Sequence, residues 1–152
     1  ACSSVALVFP DIFSAFSVLL AILLLTCHLR RRESSWFQLR GNYGEVYFCL
    51  VYAVLSVSMW NLNRVLAGVV MLFMAVGDAV TGLVRARFIR KRGKHWTGSL
   101  AMFAVCSALS YVFFGWKGLI LSLVATLAEL QPLLDDNIAI PLATVTTGLL
   151  II

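Results

Sequence analysis

Charge is the scarcest property of this 152-residue chain. Asp, Glu, Lys and Arg together make up 12% of it, about half the share in a soluble globular domain. That scarcity, with a hydrophobic share of 61%, excludes an ordinary water-soluble enzyme, a disordered chain and a free nucleic-acid binder. No cysteine pair has the close spacing of a zinc or redox motif. Cys2, Cys27, Cys49 and Cys106 are scattered in or beside apolar segments and read as small buried hydrophobes. There is no Gly-rich phosphate loop of the soluble nucleotidase type. The ten-residue alternation of a membrane β-barrel is also missing. No internal repeat is evident.

What is present is a series of six apolar stretches, at about Val5–Cys27, Tyr43–Trp60, Val65–Val84, Gly98–Trp116, Gly118–Leu134 and Ile138–Ile152. Continuous apolarity over such lengths calls for helices, because only helices and closed barrels satisfy their backbone in lipid. The expected fold is therefore all-α: a polytopic membrane helical bundle of about six spans, forming a single domain over 1–152. Several stretches are near the lower length limit for a span, so tilt or local thinning is expected. The first stretch is followed, not preceded, by basic residues, which is the polarity of a stop-transfer helix and not of a secretory signal. The chain begins at Ala1, so trimming of its N-terminus is also expected.

The cations set the orientation. Arg30, Arg31, Arg32 and Arg40 follow the first span, and Arg85, Arg87, Arg90, Lys91, Arg92 and Lys94 follow the third. Ten of the twelve Lys and Arg residues thus fall on one side if the spans alternate. The net charge of +5 is explained by these loops, without a nucleic-acid partner. The positive-inside rule places both loops in the cytoplasm and the N-terminus outside. Trp60, Trp96 and Trp116 sit at span ends, where they serve as interfacial anchors.

The acids are placed unlike those of a purely structural membrane protein. Five of the seven, Glu45, Asp78, Glu129, Asp135 and Asp136, fall at the basic face. Asp78 precedes Arg85 by seven residues, about 10 Å of helix. A carboxylate in hydrocarbon is by default a functional-site candidate. Several sharing one site repel unless a cation joins them. Mg²⁺ takes hard oxygen ligands while keeping room for water and phosphate. A metal triphosphate suits both the acids and the cations beside them. Asp78, Gly82 and Arg85 share one helix face. Gly82 leaves space for a ligand or another backbone, and Gly98-Ser99 opens a span whose N-terminal amides can meet an anion.

These blocks resemble a known family. Gly77-Asp78, the basic loop, Lys94-x-x-x-Gly98-Ser99-Leu100-Ala101, Glu129 and Asp136-Asn137-x-x-x-Pro141 look like the membrane CTP-dependent lipid kinases, which include the dolichol, phytol and related polyprenol kinases. Tyr43-Gly44-Glu45 resembles a further element, and the likeness runs from about Tyr43 to the C-terminus. The chain is as short as the minimal forms found in archaea. His95 and Thr97 depart from the usual residues after the lysine. The resemblance implies transfer of the γ-phosphoryl group of CTP to a long isoprenoid alcohol at the cytoplasmic face of a cell membrane, or of the endoplasmic reticulum in a eukaryote. It implies Asp78, Glu129 and Asp136 as catalytic and Mg²⁺-binding residues. Gly77, Thr81, Gly82, Arg85, Lys94, Gly98, Ser99 and Asn137 would contact nucleotide and phosphate. Glu45, Arg90, Lys91, Arg92 and Asp135 would stand at the margin of the site. Two alternatives remain at this stage: a CTP:lipid-phosphate cytidylyltransferase using the same Mg²⁺ site, and a non-enzymatic transporter. The acids gather at one face and form no path across, which disfavours the transporter.

Overall fold

A computed structural model describes residues 9–30, 43–59, 62–88 and 96–152, apart from the side chains of residues 85, 86 and 88. Among the described residues the chain is helical, with no strand. Its elements are α1 (Pro10–Leu29), α2 (Gly44–Ser58), α3 (Arg64–Leu72), a π-helical turn (Phe73–Gly77), α4 (Asp78–Phe88), α5 (Trp96–Phe114), α6 (Trp116–Leu130) and α7 (Asp136–Ile151). The helix runs unbroken from α3 through the π turn into α4. Each of the six apolar stretches therefore contains one helical rod. Three of the rods are long and apolar enough to cross a membrane: Pro10–Leu29, Arg64–Val84 and Trp96–Phe114. Gly44–Ser58 and Asp136–Ile151 are apolar but shorter. Large apolar side chains such as Phe16, Leu19, Val112 and Leu150 lie exposed, as expected of helices whose outer surface meets lipid rather than water.

The described residues divide into two compact units between Arg64 and Val65. The first is the α1–α2 pair. Pro10 and Asp11 open α1; a proline in the first turn gives up an amide with no intrahelical partner, and the acid complements the helix dipole. A narrow stripe packs the pair. Ala21, Val46 and Cys49 form its core, Ser14 donates to the Ala53 carbonyl, and the His28 and Tyr43 rings lie 5.0 Å apart. Cys49 and Cys106 are buried and Cys27 half-buried, all three free.

The second unit contains α3 to α7. Its core is built from Leu66, Met71, Phe73, Met74, Met102 and Leu121, each at most 1% exposed. The neighbour order is α4 on α5, α5 on α6 and α6 on α7, while the π turn touches both α5 and α7. Small residues allow these approaches, as is usual where lipid supplies no hydrophobic drive between helices. A Cβ on Gly148 would lie 2.6 Å from Leu66 Cδ1, so this glycine brings α7 against α3. Gly115 has φ of +56°, a conformation open to glycine, and alone joins α5 to α6. Three residues on, Gly118 lies directly against the Ser110 backbone, and Ser110 Oγ donates to the Gly118 carbonyl at 2.8 Å.

Several boundaries differ from the sequence expectation, and three of them bear on the site. The fifth rod ends at Leu130 rather than Leu134, because Gln131 precedes Pro132 and takes an extended backbone, the conformation that a following proline enforces. Gln131 then organises the connection: its Oε1 accepts from the Leu133 and Leu134 amides, and its Nε2 donates to the Leu134 carbonyl. α5 starts at Trp96, two residues before Gly98. α7 starts at Asp136 rather than Ile138.

Candidate functional site

The expected site residues that the structure describes lie mainly in the second unit, around the start of α4, the start of α5, the end of α6 and the start of α7. Asp78 follows the π turn directly. A π turn holds about one more residue than an α turn and recurs at functional sites, and here it shifts the phase of everything after Gly77. Its inner side is fixed by packing. Phe73 and Met74 are buried, and a Cβ on Gly77 would lie 3.1 Å from Met102 Cε and 3.4 Å from Cys106 Sγ. Gly77 thus serves helix contact. Asp78 is exposed, as are Ala79, Gly82 and Leu83, while Thr81 is 1% exposed.

Thr81 therefore does not fit the phosphate role expected of it. Its hydroxyl turns inward and donates to the Gly77 carbonyl. The reason is helical phase: at about 100° per residue, Thr81 falls about 60° to one side of Asp78 and Gly82 about 40° to the other, toward the exposed Ala79 and Leu83.

Glu129 and Ser99 form the most specific contact of the region. Ser99 Oγ donates to Glu129 Oε2 at 2.8 Å across 30 residues of sequence. Both residues are 4% exposed. The bond joins the start of α5 to the end of α6 and occupies the hydroxyl that was expected to hold phosphate. Ser99 precedes Met102 by three residues, about 5 Å of helix rise. Gly77 packs on Met102, so Asp78 and the Ser99–Glu129 pair lie at similar levels of the unit. Gly98 is buried beside Ser99 and falls in the first turn of α5, where amides lack intrahelical acceptors.

At α7 the two neighbouring acids have different environments. Asp135 is the N-cap: its Oδ1 accepts from the Asn137 amide at 3.0 Å, and its carbonyl accepts from the Ile138 and Ala139 amides. An aspartate there has a structural task. Asp136 is the first helical residue and is half-buried, as is Asn137. The Asn137 amide proton is committed to the cap. Pro141 lies inside α7 and brings no N–H to the Asn137 carbonyl one turn earlier.

Among the described residues no three His, Cys, Asp or Glu side chains come together as a metal-binding group. Asp78, Glu129 and Asp136 therefore form no ready-made three-carboxylate cage. The oxygen donors suit a more modest requirement. Mg²⁺ carried on a nucleotide is held by one or two carboxylates with phosphates and water as the remaining ligands; in the second unit Asp78 is exposed and Asp136 half-buried.

Arg90, Lys91, Arg92 and Lys94 lie outside the described residues, as does the Arg85 side chain. Glu45 belongs to the first unit, in the first turn of α2, and its Oε2 is buried without a hydrogen-bond partner. Trp96 and Trp116, the expected interfacial anchors, are 67% and 65% exposed.

No family model and no solved structure matches the chain. Curated proteins do. A probable phytol kinase, chloroplastic, of Triticum aestivum is 31% identical over 71% of this chain and 44% of its own length. Phytol kinase 1, chloroplastic, of Arabidopsis thaliana is 27% identical over 70% of this chain and 43% of its own. An uncharacterized protein of Methanocaldococcus jannaschii is 28% identical over 64% of this chain and 53% of its own. The chain spans less than half the length of the plant relatives that it matches. Over most of its own length, this apolar helical chain is similar in sequence to phytol kinases.

Proposed function

We propose that this protein is a membrane kinase that transfers the γ-phosphoryl group of CTP to the hydroxyl of an isoprenoid alcohol of the phytol, geranylgeraniol or dolichol class, at the cytoplasmic face. The observation that carries the reading is the placement of Asp78 and Asp136, on separate helices of a chain whose sequence is similar to phytol kinases. A phosphoryl transfer needs little covalent chemistry from the protein; alignment and charge neutralisation carry most of it.

In this reading Asp78 and Asp136 would hold the Mg²⁺ that accompanies the nucleotide, which when bound would supply neutralisation of phosphate charge. The first turn of α5 at Gly98 and the basic stretch through Lys94, Arg92, Lys91 and Arg90 meet the phosphates. The Asn137 side chain contacts the nucleotide. The alcohol oxygen forms a bond to the γ-phosphorus as the bond from that phosphorus to the β,γ-bridging oxygen breaks, and CDP leaves. The proton of the alcohol passes to a carboxylate of the site. Ser99 and Glu129 act as positioning residues: their hydrogen bond locks the first turn of α5 onto the end of α6. The chain of the alcohol stays in lipid, so no deep protein pocket is needed.

The test uses purified protein in phosphatidylcholine vesicles, phytol, geranylgeraniol or dolichol as acceptor, and CTP labelled at either the α or the γ position. Transfer of the γ label to the alcohol supports the kinase. Transfer of the α label to a lipid phosphate, with release of pyrophosphate, identifies a cytidylyltransferase and rejects the proposal. Parallel runs with ATP, GTP and UTP establish the donor.

A further inference from the structure

Two contacts fix the height and direction of α7 along the rod formed by α3, the π turn and α4. Gly148 lies directly against the Leu66 side chain, and the π turn at Phe73–Gly77 also touches α7. α7 ends at Ile151, three residues beyond Gly148. That remainder is too short to reach a turn that begins seven residues past Leu66, about 10 Å along the rod. The π turn therefore meets the part of α7 that precedes Gly148, and the two rods are antiparallel. Asp78 lies twelve residues after Leu66, and Asp136 twelve before Gly148. Each acid is thus about 18 Å from the same contact, and the two share one level of the unit.

Sharing a level does not by itself aim one acid at the other helix. Leu66 marks the side of the rod that meets α7. In an uninterrupted α-helix, at about 100° per residue, twelve residues would turn Asp78 about 120° away from that side. The π turn holds about one residue more than an α turn. The lag is about 100°, and it returns Asp78 to within about 20° of the Leu66 line. The surplus residue is taken up in the packed middle of the rod, where Phe73, Met74 and Gly77 are buried and Ala75 and Val76 half-buried.

Resting on the kinase reading above, we infer that the π turn is the positioning element of the site: its surplus residue turns Asp78 to the side of the rod that meets α7, level with Asp136, so that acids from two helices face the same space. What counts is the phase that the turn sets, not its π hydrogen bonding. Removal of Ala75 leaves eleven residues from Leu66 to Asp78, which an uninterrupted α-helix also places within about 20° of the Leu66 line. An alanine then inserted between Gly77 and Asp78 restores the original length and turns the acid about 100° away.

The experiment compares the parent chain, the chain without Ala75, and the chain without Ala75 that carries the inserted alanine. Each is made with Asp78→Cys and Asp136→Cys and treated in phosphatidylcholine vesicles with a short bifunctional thiosulfonate, without nucleotide or metal, and the links are mapped by mass spectrometry. The expected result is a link between positions 78 and 136 in the parent and in the chain without Ala75, and its loss on insertion of the alanine, with similar unfolding midpoints in SDS. In the same three backbones with both aspartates kept, phosphoryl transfer from CTP to phytol should follow the same order, falling about 10²-fold on insertion. No link in the parent, or an equal link in all three, overturns the inference and leaves the kinase reading standing wherever transfer proceeds. Loss of the link on removal of Ala75, with the fold kept or not, also overturns it. If the inserted alanine prevents folding, the first two chains decide. The expected links without transfer by the wild type from any nucleotide support the positioning and reject the kinase.

Discussion

Replacing Ser99 with alanine and Glu129 with glutamine, singly and together, probes the bond between α5 and α6. Ser99→Ala removes a donor from a carboxylate that is 4% exposed, at a donor–acceptor distance of 2.8 Å. Hydrogen bonds to charged groups contribute about 1.5–3 kcal/mol in water-soluble proteins. Interhelical pairs in membrane proteins average about 0.6 and reach about 1.7 kcal/mol, because partners are also found in the unfolded state within lipid. The depth and short distance of this pair place its coupling near the top of the membrane range, at about 1–1.7 kcal/mol. Unfolding of the four proteins in bicelles against SDS reads that coupling. Glu129→Gln keeps a carbonyl oxygen for Ser99 and removes the charge, so it separates geometry from electrostatics. Phosphoryl transfer by Ser99→Ala should fall about tenfold, the equivalent of ~1.4 kcal/mol, chiefly in kcat, with Ser99→Thr restoring most of it. A coupling below about 0.3 kcal/mol, the additivity expected of independent sites, would refute the claim that the pair holds α5 to α6. Loss of stability with unaltered turnover of the folded fraction would refute the positioning role.

Asp135 and Asp136 are adjacent but should respond differently. Asp135→Ala should lower stability by about 1 kcal/mol through loss of the N-cap, and Asp135→Ser should restore it, both read by the same unfolding assay. Gly118→Ala should destabilise by about 1–3 kcal/mol, since the added methyl meets the Ser110 backbone and not a side chain that can turn away; an unchanged midpoint would show that the hairpin relaxes freely. Gln131→Ala removes three hydrogen bonds of an exposed connection, and should speed limited proteolysis between α6 and α7 while changing global stability by no more than about 1 kcal/mol.

Long apolar runs made the helical class and the approximate position of each rod readable from sequence. The ends were less readable, because caps and prolines decide them one residue at a time: Pro132 ends α6 early, and Asp135 starts α7 early. The π turn before Asp78 has no periodic signature, since its residues are as apolar as those of the α turns around it. It decides which of Gly77, Asp78, Thr81 and Gly82 face outward. The resemblance, blind to that phase, implies a nucleotide contact for Thr81, whose hydroxyl donates to the Gly77 carbonyl. The Ser99–Glu129 bond was out of reach for another reason. Residues 30 apart meet only because the single-residue turn at Gly115 brings α5 and α6 together, and periodicity carries no information on which rung faces which. A polar residue in each of two apolar helices was the available signal, and it marked both residues without pairing them.

The central claim is that carboxylates on separate helices hold the metal-bearing nucleotide. The most direct measurement is γ-phosphoryl transfer from CTP to phytol by wild type, Asp78→Asn and Asp136→Asn in vesicles, at saturating Mg²⁺ and with helical content matched by circular dichroism. The account predicts transfer by wild type and its loss in each variant, by about 10²-fold or more if the acid stabilises charge developing in the transition state. Full activity of Asp78→Asn or Asp136→Asn would contradict it.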